Sequence, residues 1–119
     1  MAENTNTPID EELVEIAMSM ITEAGEARVN IGHAITAIEN NNFDSAKEHL
    51  ETARKLIGKA HGMQTEIVQS EGELGVRQHP LLFIHAQDTL MTINSELNLV
   101  RRLMKVFANL DERLRKLEK

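Results

Sequence analysis

Hydrophobic residues recur at steps of three and four along nearly the whole chain, and this spacing predicts three long helices. The first periodic segment runs from about Ile9 to about Ile38. We predict Thr7 as its N-cap and Pro8 as its first helical residue, because both suit the start of a helix. The asparagines at 40–42 favour a turn and are expected to end this helix.

The second segment begins near Phe43 and repeats small and apolar residues at heptad steps. Its stripe consists of Phe43, Ala46, Leu50, Ala53, Ile57, Ala60, Gln64 and Ile67. Such regularity is typical of a helix that faces two neighbours in a supercoiled bundle. Gln64 is the polar member, and it predicts a buried amide that needs hydrogen-bond partners. Two glycines and mixed charge over residues 70–79 then predict a mobile loop.

The third segment, from Pro80 to about Leu117, carries two stripes on opposite faces. The stripe predicted to pack in the core is Phe83, Ala86, Leu90, Ile93, Leu97, Val100, Met104 and Phe107. The N-terminal half of the second stripe is mainly polar and its C-terminal half is apolar. Its members are Leu81, His85, Asp88, Thr92, Ser95, Leu99, Leu103, Val106 and Leu110. Three helices enclose a single core, so this second face needs another cover. We therefore predict an all-α, antiparallel three-helix bundle that oligomerises through its third helix.

Length and composition limit the number of domains and exclude several classes of function. The chain of 119 residues has room for one domain, 1–119, of which residues 1–8 are expected to be flexible. A net charge of −6 with three Phe, no Tyr and no Trp argues against nucleic-acid binding. The absence of Cys excludes thiolate catalysis. With no signal-peptide pattern and no apolar run of membrane-spanning length, we expect a cytoplasmic protein without membrane insertion.

The chain has none of the glycine-rich phosphate loops and no nucleophile elbow, so its histidines are the candidate chemistry. The pattern predicts His49 and His79 on the surface, His33 near a core edge and His61 partly buried. His85 stands apart because it lies in the first turns of the third helix, on the face that the core does not need. Free backbone amides and the dipole at a helix N-terminus favour an incoming phosphate or other anion.

Four short motifs resemble a known family. Residues 83–92, FIHAQDTLMT, resemble the active-site segment of enzyme IIA of the lactose/cellobiose type from the bacterial sugar phosphotransferase system. Upstream, residues 24–28 resemble the A-G-x-A-R motif of its first helix, and residues 42–46 the opening of its second. Residues 60–65 resemble its A-H-x-x-Q-T motif. The four motifs occur in the family's order.

The resemblance implies a homotrimer of three-helix subunits and a phosphocarrier function. By position, His85 would accept phosphate as a tele-phosphohistidine from the histidine phosphocarrier protein. It would pass the phosphate to a cysteine of a IIB component during uptake of a β-disaccharide. The residues before the apolar stripe of the first helix, and Ala86, favour the cellobiose/diacetylchitobiose branch over lactose.

The same resemblance assigns the neighbours of His85. Asp88 matches an aspartate at the three-fold axis, where three copies would hold a divalent metal, expected to be Mg²⁺. Gln87 would help orient the phosphate. Thr89 stands where the family usually has a second histidine, so that imidazole is absent here.

His61 and Gln64 could either line the site or belong to a polar network between helices. Two alternative functions remain open at the level of sequence. One is a non-enzymatic oligomeric helical adapter, and the other is a metal-binding bundle.

Overall fold

A computed structural model describes residues 10–75 and 79–118. The described chain forms three helices, α1 (Glu11–Glu39), α2 (Phe43–Leu74) and α3 (Leu81–Glu118), and no strand. Cross-helix contacts define the topology. Glu23 and Asn30 of α1 contact Lys59 and His49 of α2, respectively, so these helices are antiparallel. The predicted antiparallel three-helix bundle is therefore confirmed, and the predicted flexibility of residues 1–8 lies outside the described residues.

The helix ends follow from local chemistry. Asp10 is the N-cap of α1, since its Oδ1 accepts a hydrogen bond from the Leu13 amide at 3.2 Å. The predicted cap at Thr7 is therefore wrong, and Thr7 and Pro8 themselves lie outside the described residues. An aspartate directly before two glutamates suits the positive end of the helix dipole better than a start further upstream.

The turn between α1 and α2 is made by asparagines, as predicted. Asn41 adopts a positive φ of 58°, which asparagine tolerates better than most residues. The amides of Asn41 and Asn42 donate to the carbonyls of Ile38 and Ala37, the pattern of a Schellman motif. The Asn42 side chain then accepts a hydrogen bond from the Ser45 amide and caps α2. One short segment thus ends one helix and begins the next.

α2 is longer than the sequence predicts. It continues through residues 70–74, which we predicted as the start of a loop, and it ends at Gly75 with a φ of 102°. A single glycine inside a helix costs only about 1 kcal/mol. Gly72 is therefore tolerated, and the helix stops only where Gly75 adopts a positive φ, which glycine accommodates better than other residues.

The core is formed by one buried stripe from each helix, which in α1 is Leu13, Ala17, Met20, Ala24, Ala27, Ile31, Ala34 and Ala37. In α3 the buried positions are Phe83, Ala86, Leu90, Ile93, Leu97, Val100 and Met104. Phe107, the eighth predicted member, is 48% exposed, so its prediction is wrong. It lies beside Ile38 and Asn41 at the turn, where α1 ends and α2 begins. α3 continues past this turn, so neither α1 nor α2 covers its last residues.

The second stripe of α3 is exposed along its apolar half, as the double pattern predicts. Leu99, Leu103, Val106 and Leu110 all remain accessible in the single chain. None of the described helices has a segment both long and apolar enough to cross a membrane.

Candidate functional site

His85 is the fifth residue of α3, close to where the helix begins. The amides of Phe83 and Ile84 donate to the Pro80 carbonyl at 3.0 and 3.3 Å and close the first turn. The His85 side chain is exposed, and it has no hydrogen bond or ion pair with any residue that the structure describes. Its ring nitrogens are therefore available to an incoming group.

A shallow groove of about 240 Å³ surrounds this imidazole. Five residues line it: Arg28, His85, Asp88, Thr89 and Thr92. Four of them come from one face of α3, since their spacing of three and four residues repeats the helical period. Arg28 comes from α1. The groove thus combines one imidazole, one carboxylate, two hydroxyls and one guanidinium.

Arg28 is fixed in this groove by a two-point ion pair with Glu96 of α3. Arg28 Nε lies 3.1 Å from Glu96 Oε1, and Arg28 Nη2 lies 2.5 Å from Glu96 Oε2. The hydrogen bond from Arg28 lowers the pKa of the Glu96 carboxyl below its ordinary value, and the same bond raises the pKa of Arg28. Both side chains are exposed, so the pair adds little to stability, but its fork geometry orients the guanidinium.

Sequence reasoning did not identify Arg28 as a site residue. In the sequence Arg28 is only the last residue of the motif at 24–28, and nothing in that motif indicates its partner. A usable signal was present, because an arginine beside the buried Ala27 is at the edge of the α1 stripe and can reach a neighbouring helix.

Asp88 and Gln87 differ in their placement. Asp88 is exposed in the groove and forms no ion pair within the described part of the chain. Gln87 is half-buried and is not among the residues that line the groove, so its proposed orientation of phosphate stays a prediction. Thr89 is half-buried and lines the groove beside His85 and Asp88.

One chain alone does not build a metal centre from these residues. Among residues 10–75 and 79–118, no three His, Cys, Asp or Glu side chains come close enough to hold a metal ion. Asp88 contributes a single carboxylate, whose hard oxygens suit Mg²⁺ or a similar cation only if further copies of the chain supply more. The donor type therefore fits the implied metal, and the donor number requires an assembly.

His79 is not the free surface residue that the sequence predicts. Its Nε2 lies 2.7 Å from Glu71 Oε2, and its ring contacts Phe83 edge-on with 5.1 Å between centroids. It is half-buried and ties the end of the α2–α3 connection to α2. The His79 side chain is thus engaged in contacts within the fold, whereas the His85 side chain is not.

The remaining predictions for histidines are also corrected. His61, expected to be partly buried, is exposed, because it lies one position beyond the buried Ala60. His33, expected near a core edge, is exposed as well. His49, expected on the surface, is half-buried and contacts Asn30 of α1.

Gln64 is a partly confirmed prediction. Its Oε1 is buried, as the stripe implies, but it accepts no hydrogen bond from any described residue. Neither Gln64 nor His61 lines the groove around His85.

Comparisons with known proteins agree with these features. The sequence model of the family described as "PTS system, Lactose/Cellobiose specific IIA subunit" matches residues 15–108. The chain is 31% identical over 102 residues to the lactose-specific EIIA component of the phosphotransferase system from Lacticaseibacillus casei, covering 86% of this chain and 91% of that protein.

Two solved structures share the fold and are each 28% identical to this chain. The cellobiose-specific enzyme IIA from Bacillus anthracis is 28% identical, with a TM-score of 0.78 and coverage of 84% of this chain and 92% of that one. The IIA(Chitobiose)–HPr complex of Escherichia coli gives 28% identity and a TM-score of 0.70, with 83% and 96% covered. The family match extends over most of the chain and includes every residue of the groove, and the chain therefore belongs to the lactose/cellobiose-specific IIA family of the bacterial sugar phosphotransferase system.

Proposed function

We propose that this protein is a cytoplasmic phosphocarrier that uses His85. In this proposal His85 accepts a phosphoryl group at Nε2 from the histidine phosphocarrier protein and passes it to a cysteine of a IIB component. The observation that carries the proposal is an exposed, unpaired imidazole in a groove that also holds Arg28. A structural relative described as a complex with HPr supports the choice of donor.

The groove has the groups that such a transfer needs. The lone pair of His85 Nε2 attacks phosphorus in line, while the phosphorus–nitrogen bond to the donor breaks and its electrons return to the donor imidazole. Phosphoryl oxygens carry the negative charge, and Arg28 with the Thr89 and Thr92 hydroxyls can donate hydrogen bonds to them. In the second transfer a thiolate attacks the same phosphorus, and His85 leaves as neutral imidazole. No nucleotide is required.

We further propose a homotrimer assembled through α3. The exposed half of its second stripe, from Leu99 to Leu110, needs a cover that the single chain does not supply. The exposed stripe continues through Leu114 and Leu117, beyond the part of the chain that the family matches.

In a trimer with α3 nearest the axis, three copies of Asp88 would hold a divalent cation, proposed to be Mg²⁺. When bound, this ion would balance their negative charge.

The sugar class follows from relatives rather than from the groove. The three relatives described above are named for lactose, cellobiose and chitobiose. We propose a β-disaccharide, with cellobiose or diacetylchitobiose favoured over lactose. The sugar itself would bind a membrane component on another chain.

Phosphorylation in a reconstituted system tests the function. Incubation with phosphoenolpyruvate and the two general carrier proteins should add one acid-labile, base-stable phosphate per chain. His85→Gln should abolish labelling, and His79→Gln should retain it, since His79 is held by Glu71. Labelling that survives His85→Gln would show that the acceptor is another residue, and no labelling of the unsubstituted protein would favour a non-enzymatic adapter.

A further inference from the structure

A pair of histidines joins α1 to α2, and neither of them lines the groove of His85. His33 of α1 and His49 of α2 have ring centroids 5.2 Å apart, with 43° between the ring planes. His33 is exposed and His49 is half-buried, so solvent reaches the pair. Neither residue belongs to the proposed phosphocarrier site.

A hydrogen-bond chain determines which nitrogen of His49 is free. Asn30 Nδ2 donates to the Glu26 carbonyl at 3.0 Å, which fixes the orientation of the Asn30 amide. If the amide were reversed, Asn30 Oδ1 would face the Glu26 carbonyl oxygen, and two hydrogen-bond acceptors would meet. Asn30 Oδ1 therefore faces His49 Nδ1 at 3.1 Å and accepts its proton. Nε2 of His49 consequently keeps a lone pair.

This arrangement is the one that protein metal sites use around a histidine ligand. A metal-bound imidazole usually donates its other N–H to a carbonyl or carboxylate oxygen, which fixes the tautomer and the ring orientation. Asn30 gives His49 that partner even without a metal. His33 lies three residues after Asn30 on the same face of α1, and its ring lies beside that of His49.

The separation of the two rings also suits a shared ion. Two imidazoles bound at 2.0–2.1 Å to one tetrahedral zinc have centroids roughly 5 Å apart. The observed 5.2 Å agrees with that value before any side chain moves. The described residues offer no third His, Cys, Asp or Glu within reach, so water would complete the coordination.

We propose that His33 and His49 bind a borderline divalent transition-metal ion, for which Zn²⁺ is the probe, through Nε2 of His49 and a ring nitrogen of His33. Imidazole selects such ions over Mg²⁺, which prefers oxygen. A bound ion would link α1 to α2 near the turn at residues 40–42. An ion held this way stabilises the folded chain, because the unfolded chain does not keep the two rings together.

The full chain can be titrated with ZnCl₂ by calorimetry in a buffer that contains excess Mg²⁺. The magnesium occupies any cluster of Asp88 carboxylates and does not compete for imidazole. We expect one zinc per chain. His33→Gln and His49→Gln should each remove most of the affinity, and Asn30→Ala should weaken it by about tenfold, as expected for a residue that orients a ligand.

A matched control is His61→Gln, which removes an exposed α2 histidine that has no imidazole beside it and should leave binding unchanged. Zinc should also raise the Tm of the unsubstituted protein and shift the ring-proton resonances of His33 and His49 together. Zinc binding that survives both His33→Gln and His49→Gln, or that is lost in His61→Gln, overturns the proposal. One zinc per two chains with an increased particle mass also overturns it, since the ion would then bridge molecules.

Discussion

Arg28 of α1 and Glu96 of α3 meet through two parallel hydrogen bonds, and this pair borders the groove of His85. Because Arg28 lowers the pKa of Glu96, the contribution of this pair to stability is present above the ordinary pKa of glutamate. It is lost as the pH falls through the lowered value. The pair is exposed and its energetic contribution is small. Its main consequence is a guanidinium that is already oriented in the groove, as the proposed phosphoryl transfer requires.

This placement predicts that Arg28 matters for phosphoryl transfer more than for folding. Arg28→Gln should slow phosphorylation of His85 by about a hundredfold, because one preorganised donor to the developing charge is lost. Its Tm should change little, since the ion pair is exposed. Single-turnover labelling by rapid quench, compared with thermal melting, separates the two effects.

Glu96→Gln is the matched control for this prediction. It breaks the same ion pair but keeps the guanidinium, so labelling should slow by much less than in Arg28→Gln, because the donor is still present but no longer held in one orientation. If both variants slow labelling equally, Arg28 acts by holding α1 against α3 and makes no contact with the phosphoryl group.

A second prediction concerns the buried amide oxygen of Gln64. Gln64→Met should stabilise the protein by about 1 kcal/mol, because it removes an acceptor that no described residue satisfies and keeps an unbranched side chain of similar length. The free energy of unfolding in urea measures the change. Gln69→Met, at an exposed position on the same helix, should change it by less than about 0.5 kcal/mol. A destabilised Gln64→Met would mean that the amide is satisfied in the assembled protein.

The fold was largely predictable because each helix contributes one continuous stripe of small and apolar residues to the core. The seven buried positions of α3 up to Met104 follow the heptad steps of the sequence, and the asparagine turn was predictable from three adjacent residues. Phe107 was not predictable, since periodicity does not reveal where the neighbouring helices end. The end of α2 was misplaced because Gly72 and Gly75 look alike in sequence, and only Gly75 adopts a positive φ.

The candidate site was predictable only along a single helix. His85 and Asp88 could be placed together because they are three residues apart on α3. Arg28 could not, because its partner Glu96 is 68 positions away and the register between α1 and α3 depends on packing. The tautomer of His49 is a similar case, since it depends on an amide of another helix.

The exposed stripe of α3 predicts the oligomeric state. Light scattering should give a mass near three times 13.4 kDa. Leu103→Glu should shift this mass toward that of the monomer, because three carboxylates would meet in an apolar interface. Val68→Glu is the matched control, since Val68 is an exposed apolar residue of α2, at 56%, outside the stripe. A monomeric unsubstituted protein at micromolar concentration would remove the argument from the double stripe.

The last prediction follows from symmetry around Asp88. If α3 lies nearest a three-fold axis, three copies of this carboxylate are brought close together, and like charges at short range are costly unless a cation is shared. Chelation with EDTA should therefore lower the Tm of the unsubstituted protein. Asp88→Leu removes the repulsion and extends the apolar stripe toward Leu99, and such exchanges can stabilise by about 1–4 kcal/mol. The variant should remain trimeric and melt at the same temperature with or without EDTA. Dissociation of Asp88→Leu into monomers would instead show that Asp88 makes an attractive contact away from the axis.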